Sequence, residues 1–415
     1  MLSGSRRIVA IKVAFWFDAP AEYSGGLNYI SNLLYAISLV TNKTVLPYVF
    51  FSSDISADIE TRFSRHTKVV KTRLLQRGTI AWFIHKVLYK VFGSMILVNA
   101  LLKYHRIDVI SHVWFVYKGR VPFRIIGWIP DFQYLHLPEL FPTLDTDEET
   151  RQNQKVISQS DIVILSSYNA LEDFKRIAAP EHQSRGVVLQ FVSQPRSAAS
   201  SNTITLEDME RKYSFQGRFF FLPNQFWAHK NHMVVLRAVK QLKDSGVNIL
   251  VLCTGNINDY RTETTKYIES IYEFIEANRL QDHVKILGHI DYNDVLFMMK
   301  NSLAILNPSR FEGWSSSVEE AKSMGKPVVL SRIGVHVEQN PENARYFDPD
   351  DAISLSRILA DIWAAPATAS FDEALQKAQD ALQKRTIEFG KTYLDLLNGV
   401  VRDAEPCADS NRGVD

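Results

Sequence analysis

The sequence predicts an α/β protein made of two Rossmann-like, doubly wound domains facing each other across a cleft. Three observations carry that expectation. The chain is 415 residues long, beyond the size at which a single hydrophobic core is normally kept. Short apolar runs of strand length alternate with helix-period segments, the pattern of parallel strands joined by right-handed crossovers. The alternation is interrupted by Gln194–Thr203, a polar, small and aperiodic stretch that reads as a linker. The expected boundaries are 1–195 for a first domain, 196–364 for a second, 365–402 for helices returning to the first, and 403–415 for a disordered tail.

Composition narrows the class. Apolar residues make up 46% and charged residues 22%, ordinary for a soluble globular protein. A net charge of +1 leaves no global basic excess for nucleic acid. Cys253 and Cys407 are too few for a disulfide framework or a zinc site, which fits a reducing, cytoplasmic setting. Arg6 and Arg7 precede an apolar run, but Lys12 interrupts it and Asp18 ends it, so a strand is expected there rather than a signal peptide. No run reaches about 18 uninterrupted apolar residues, so no transmembrane helix is expected.

In chain order, Ile11–Phe17 reads as the first strand. Ser24-Gly25-Gly26 follows, then a helical pattern from Leu27 to about Leu39. A strand, a glycine turn and a helix start form the layout of a nucleotide-binding unit, although neither G-x-G-x-x-G nor G-x-x-x-x-G-K-[ST] is present. Between Thr61 and Arg124 the lysines and arginines face a single acid, Asp108. Within this segment Thr79–Arg106 is rich in aromatic and apolar residues, with Trp82, Lys86 and Lys90 at neighbouring helical positions. Two readings are open: peripheral membrane contact through 62–124, or a core helix with snorkelling lysines. The strand Arg124–Ile129 ends in Pro130-Asp131-Phe132, and a carboxylate there lies where open α/β sheets hold ligands. Asp131 is a candidate base or acceptor-hydroxyl ligand, with His136 as the second choice; a plain turn cap is the alternative. A helix from about Asp147 to Ser158 and strands at Asp161–Leu165 and Gly186–Val192 complete this half.

The second half alternates more regularly, with strands expected at Arg218–Pro223, Asn248–Thr254, His283–Leu287, Leu303–Leu306 and Pro327–Ser331. The first is followed by Asn224-Gln225 and then Lys230-Asn231 at a helix start. Thr254-Gly255 and Gly288-His289 end the next two, where a nucleotide would sit. The central stretch is Leu303–Ser331: a buried strand, a loop with Glu312 and Gly313, a helix, and another buried strand. Ser315, Ser316 and Ser317 offer capping hydroxyls at the helix start, whose free N–H groups and macrodipole attract an anion. Glu312 and Glu320 are eight positions apart, about 12 Å of helix axis. They can hold two ends of an extended ligand while the helix start binds its middle. A nucleotide-diphosphate sugar has that shape.

At these residues the chain resembles the retaining GT-B glycosyltransferases of family 4. The resemblance rests on Glu312…Glu320, then Gly325-Lys326-Pro327-Val328 and a strand, with Gly334-Val335-His336-Val337-Glu338 and Tyr346-Phe347-Asp348-Pro349-Asp350 downstream. It implies transfer of a hexose from a nucleotide-diphosphate sugar to a glycan or lipid-linked acceptor, with retention of configuration. Surface polysaccharide or lipopolysaccharide biosynthesis, mannose or rhamnose, and the inner face of the plasma membrane follow by analogy alone.

The resemblance also implies roles for residues. Glu312 would touch the sugar hydroxyls, Glu320 the ribose, and Lys230, beside Asn231, the diphosphate. Gly25 and Gly26 would approach the diphosphate from the opposite domain, and Asn224, Gly255, Gly313 and Ser315–Ser317 complete the donor set. Asp131, Lys230 and Glu312 are the catalytic candidates. Two departures stand out: Asn224-Gln225 replaces an expected glycine–arginine pair, and Pro130 replaces a histidine before Asp131, which leaves the handler of the acceptor proton open. No D-x-D motif lies beside a strand end, so no metal and no cofactor beyond the donor are expected. A GT-B-shaped nucleotide-sugar epimerase and a non-catalytic nucleotide-binding scaffold remain as alternatives.

Overall fold

The computed structural model describes residues 10–17, 24–40, 44–119, 121–141, 144–195, 204–257, 266–365 and 371–402. Its strands are short and bond only to parallel neighbours. The first sheet contains β1 (Ile11–Trp16), β2 (Val45–Ser52), β3 (Lys68–Thr72), β4 (Val109–Val113), β5 (Arg124–Trp128), β6 (Ile162–Leu165) and β7 (Gly186–Val188), in the order β3-β2-β1-β4-β5-β6-β7. The second contains β8 (Phe220–Leu222), β9 (Val251–Cys253), β10 (Val284–Ile286), β11 (Ile305–Asn307), β12 (Val328–Ser331) and β13 (Ala344–Phe347), in the order β10-β9-β8-β11-β12-β13. Each is a doubly wound parallel sheet, as expected. The winding direction reverses between β1 and β4 and again between β8 and β11, the two switch points where such sheets hold ligands beyond their carboxyl ends.

Burial on both faces explains the strand composition. Phe219, Phe220, Phe221 and Leu222 are all buried, a continuous apolar run rather than an alternating one. Phe220 and Leu222 belong to one cluster with Val235, Val239, Val251 and Leu306. Phe221 belongs to another with Leu252, Ile305, Val318 and Val328. Ile305 lies opposite both Val328 and Phe221 in register. The loop that leaves β11 is therefore anchored by apolar packing on both sides of its strand.

The chain divides into two compact units, one of Met1–Pro130, Asp147–Val192 and Arg385–Asp415, the other of Asp131–Thr146 and Ser193–Lys384. Asp131–Thr146, assigned to the first domain by sequence order, clusters with the second unit. The helix Phe371–Arg402 starts in the second unit and ends in the first. The expected tail 403–415 and most of the expected linker, 196–203, lie outside the described residues.

Other differences have local causes. Thr79–Arg106 is two helices, Ile80–Val91 and Ile96–Tyr104, separated by Gly93 at φ +57°, a left-handed residue that a helix cannot propagate through. Gly25 and Gly26 are not a turn but lie in the first helical turn of Ser24–Val40. No helix among the described residues is long and apolar enough to cross a membrane.

Candidate active site

The two strands at the second unit's switch point each send a loop past their carboxyl ends, and those loops carry the residues singled out in the sequence. After β8 the chain makes a 3-10 turn at Ala228–Lys230 and a corner at Asn231. Asn231 has φ +55°, a conformation that asparagine tolerates better than most residues. Its Nδ2 donates to Pro308 O at 3.1 Å and to Pro349 O at 2.8 Å. The side chain thus clamps the β8 loop to the β11 loop and to the turn before Asp351.

That clamp brings together residues 82 positions apart: Lys230 Nζ lies 2.8 Å from both Oε1 and Oε2 of Glu312. The lysine is 14% exposed and the glutamate 8%, so the pair is largely shielded from water. Ser309 Oγ lies 2.6 Å from Glu312 Oε1 and 2.6 Å from Asn307 Oδ1. Burial alone would raise the Glu312 pKa, but the Lys230 ammonium, with the His336 and His229 imidazoles, outweighs it and holds the carboxyl down at about 2. Glu312 is therefore an anion across the neutral range.

The helix Ser316–Ser323 begins beside this pair. Ser315 occupies the cap position yet makes no side-chain capping bond, which corrects the expected serine cap. Asn307 is the reason: its Nδ2 donates to Ser315 Oγ at 2.8 Å and reaches Ser317 Oγ at 3.2 Å. Ser317 Oγ in turn donates to Asn224 Oδ1 at 3.3 Å, and Asn224 Nδ2 donates to Asn307 Oδ1 at 3.2 Å. With those hydroxyls occupied, no side-chain cap claims the first-turn amides. They keep the partial positive charge of a helix start for an anionic group. Ser316 is exposed, whereas Ser315 and Ser317 are buried.

Glu320 lies in a different environment. It is buried, and Tyr292 donates its hydroxyl to Glu320 Oε1 at 2.8 Å. Burial raises its pKa to about 7, against smaller opposing effects of the hydrogen bonds from Tyr292 and Ser193. The two glutamates therefore differ in chemistry, one a paired anion and one a carboxyl that titrates near neutrality.

Two glycines are explained by close approach. A Cβ on Gly255 (φ +154°) would lie 2.4 Å from Asn224 O, so this residue lets β9 and the β8 loop pass each other. A Cβ on Gly313 would lie 2.6 Å from Asp131 Oδ2, which places Asp131 directly against the Glu312 loop. Asp131 Oδ1 accepts from Gln133 N at 3.0 Å, the turn-capping bond weighed as the alternative. The His136 ring lies tilted at 34° to that of Phe311, with centroids 5.2 Å apart. Gly25 and Gly26 lie in the first unit, and Gly25 has open space where a Cβ would be.

The sequence alone assigns no site role to Asn307, Ser309 or His336, although His336 falls within the downstream stretch that carries the resemblance. Asn307 and His336 are fully buried, and Ser331 Oγ bridges the group, donating to Ser309 O at 2.5 Å and lying 3.2 Å from His336 Nδ1. A polar residue ending an apolar strand run, as Asn307 does in LAILN, is the signal that could have found it, because a buried amide must have partners. Arg310 lies in the same loop, its N donating to His229 O at 2.8 Å, while its side chain pairs with Asp350 at 2.6 Å.

Each unit is thus a Rossmann-like, doubly wound sheet, and the second carries a carboxylate–lysine pair at its switch point. Residues 208–379 match the family described as glycosyl transferases group 1, which contains every one of these loops after β8. Among curated proteins the chain is similar to the O-antigen chain mannosyltransferase RfbU of Salmonella typhimurium, 25% identical over 169 residues. That match covers 41% of this chain and 45% of the relative, so the chain spans less than half of that protein's length. Among solved structures it resembles Anabaena Alr3699/HepE in complex with UDP and glucose, at 14% identity and a TM-score of 0.66, over 94% of this chain and 99% of that one. It also resembles the lipopolysaccharide outer core galactosyltransferase WaaB, at 14% identity and a TM-score of 0.58, over 95% and 99%. At such identities the structural likeness establishes the GT-B fold.

Proposed function

We propose that this chain is a glycosyltransferase that moves a hexose from a nucleotide-diphosphate sugar to a glycan or lipid-linked acceptor, with retention, in surface polysaccharide or lipopolysaccharide biosynthesis. The observation that carries the reading is the buried Lys230–Glu312 pair beside an uncapped helix start, within the span that matches the group 1 family. When the bond from the sugar's anomeric carbon to the diphosphate breaks, negative charge grows on phosphate oxygens. Lys230 and the first-turn amides of Ser316–Ser323 are suited to stabilise it. Glu312 accepts from sugar hydroxyls and opposes positive character at the anomeric carbon. Glu320 accepts from the ribose. The acceptor oxygen bonds to the same face that the diphosphate leaves, and its proton goes to the departing phosphate oxygen. Asp131, against Gly313, is suited to orient the acceptor hydroxyl. No metal is assigned a role. A cytoplasmic location with peripheral contact at the inner membrane face completes the reading, and similarity to a mannosyltransferase makes a mannose donor the first to try.

The test is transfer by the full-length protein from GDP-mannose, dTDP-rhamnose and UDP-glucose to membrane-derived acceptors, read by nucleotide release and by product configuration. Acceptor-dependent release with a retained anomer is expected from one donor. Epimerised donor without acceptor would replace this reading with an epimerase, and nucleotide binding without turnover would replace it with a scaffold.

A further inference from the structure

We propose that the helix Ile80–Val91 is a membrane-contact element that lays its outer face on the phosphate-rich surface of an anionic bilayer. This deepens the peripheral-contact reading above and rests on it, but needs nothing from the transferase assignment. The helix is firmly built. Thr79 Oγ1 caps it by accepting from Trp82 N at 3.2 Å. On the inner face His85 is buried, Tyr89 donates its hydroxyl to Val116 O at 2.9 Å, and Lys118 Nζ lies 4.4 Å over the Tyr89 ring.

The outer face is apolar and exposed. Ile80 is 79% exposed, Phe83 63%, Ile84 46% and Val91 70%, and Phe92 just past the end is 70% exposed. At about 100° per residue, the exposed positions 80, 83, 84 and 91 fall in one stripe about 100° wide, with the half-buried Val87 among them. A surface helix normally turns such a stripe toward the core. Scattered exposed apolar residues are ordinary, whereas a contiguous stripe marks a contact surface.

Charge identifies the occupant. Lys86 and Lys90 lie one turn apart along one border of the stripe, and Lys90 is exposed. Exposed Arg73 and Arg77 precede the helix, and exposed Lys103 and Arg106 follow it. The one acid between Thr61 and Arg124 is Asp108, and its Oδ2 accepts from Lys12 N at 2.8 Å. A second copy of this chain would set the same basic border against itself. Lipid phosphates supply anions at the border with hydrocarbon immediately beneath, which matches both halves of the surface.

The experiment is flotation of the full-length protein with vesicles of mixed phosphatidylglycerol and phosphatidylcholine, and of phosphatidylcholine alone, at low and high salt. Binding to the anionic vesicles at low salt is expected, weakened at least tenfold by Phe83→Gln with Phe92→Gln and likewise by Arg77→Gln with Lys90→Gln. Melting temperatures and nucleotide-induced melting shifts should stay unchanged, since all four side chains are exposed. Failure of the wild type to bind, or either pair binding like the wild type, overturns the proposal. So does concentration-dependent dimerisation that the phenylalanine pair abolishes. The nucleotide shift is read separately, so a failed vesicle result leaves the transferase reading standing and a failed nucleotide result leaves this one standing.

Discussion

Replacing Glu312 with Gln removes one charge from the buried pair and leaves its shape in place. The native carboxyl is held from 4.5 down to about 2, so the folded state binds this proton less tightly than the unfolded chain. The resulting stabilisation is fully present above about pH 4.5 and is lost as the pH falls through about 2. At about 1.4 kcal/mol per tenfold, it amounts to about 3 kcal/mol at pH 7. Removing one partner of a buried ion pair typically costs about 3–5 kcal/mol. Since Lys230 retains 14% exposure and water can replace part of the interaction, the lower end is expected. Urea unfolding at pH 7, 5 and 3, followed by tryptophan fluorescence with Trp314 two residues from the substitution, reads the effect. Glu312→Gln should be about 3 kcal/mol less stable at pH 7, and the gap should narrow to about half by pH 3. Equal stability at pH 7, or a gap that ignores pH, would show that the Lys230–Glu312 pair does not hold the carboxylate in its charged form. The same change frees Lys230 from its carboxylate, so nucleoside diphosphate should bind at least as well while sugar transfer falls.

Lys230→Ala should lower transfer at least about 100-fold, since loss of one group facing developing charge costs about 3 kcal/mol; a rate within a few fold of wild type would contradict the assignment. Glu320, raised from 4.5 to about 7 by burial, gives the opposite pH trend. The native state holds this proton more tightly, so stability falls as pH rises from about 4.5 to 7 and then levels. Glu320→Gln should remove up to about 3 kcal/mol of that slope, and unfolding titrations of both proteins from pH 4 to 8 check it. Gly255→Ala forces a Cβ to 2.4 Å from the Asn224 carbonyl, a backbone neighbour that cannot rotate aside. A loss of about 1–3 kcal/mol is expected, seen as a lower melting temperature, and an unchanged one would show that the β8 loop yields freely. Treatment with EDTA should leave transfer unaltered, and loss of activity restored by magnesium would show that the reaction requires a metal.

The alternation of two parallel sheets was legible because strands buried on both faces leave unbroken apolar runs such as FFFL at Phe219–Leu222. Edge strands carry no such mark. β3 is KVVKT, with lysines at both faces of a sheet edge, and β13 is ARYF with only Phe347 buried. Lys230, Glu312 and Glu320 could be named from local pattern, but the bond between the first two depends on β8 and β11 being neighbours, which strand order alone determines. Asn307 was missed for the same reason. Its role comes from Asn224, Ser315 and Ser317 converging on it from different loops. Serine usually caps, which is why the triplet at the helix start suggests a cap; here Asn307 at a neighbouring strand end holds the hydroxyls of Ser315 and Ser317 instead.

The second unit is proposed to bind a nucleotide diphosphate through Lys230 and the start of the helix Ser316–Ser323. Thermal unfolding of the wild type and Lys230→Ala with GDP, UDP, ADP and dTDP tests it most directly. A ligand at about 100 times its dissociation constant adds about 2.7 kcal/mol of stability. For a chain of this size a clear rise in melting temperature is expected with one nucleotide, and little or none in the variant. No shift with any of the four, or an equal shift in both proteins, would contradict it.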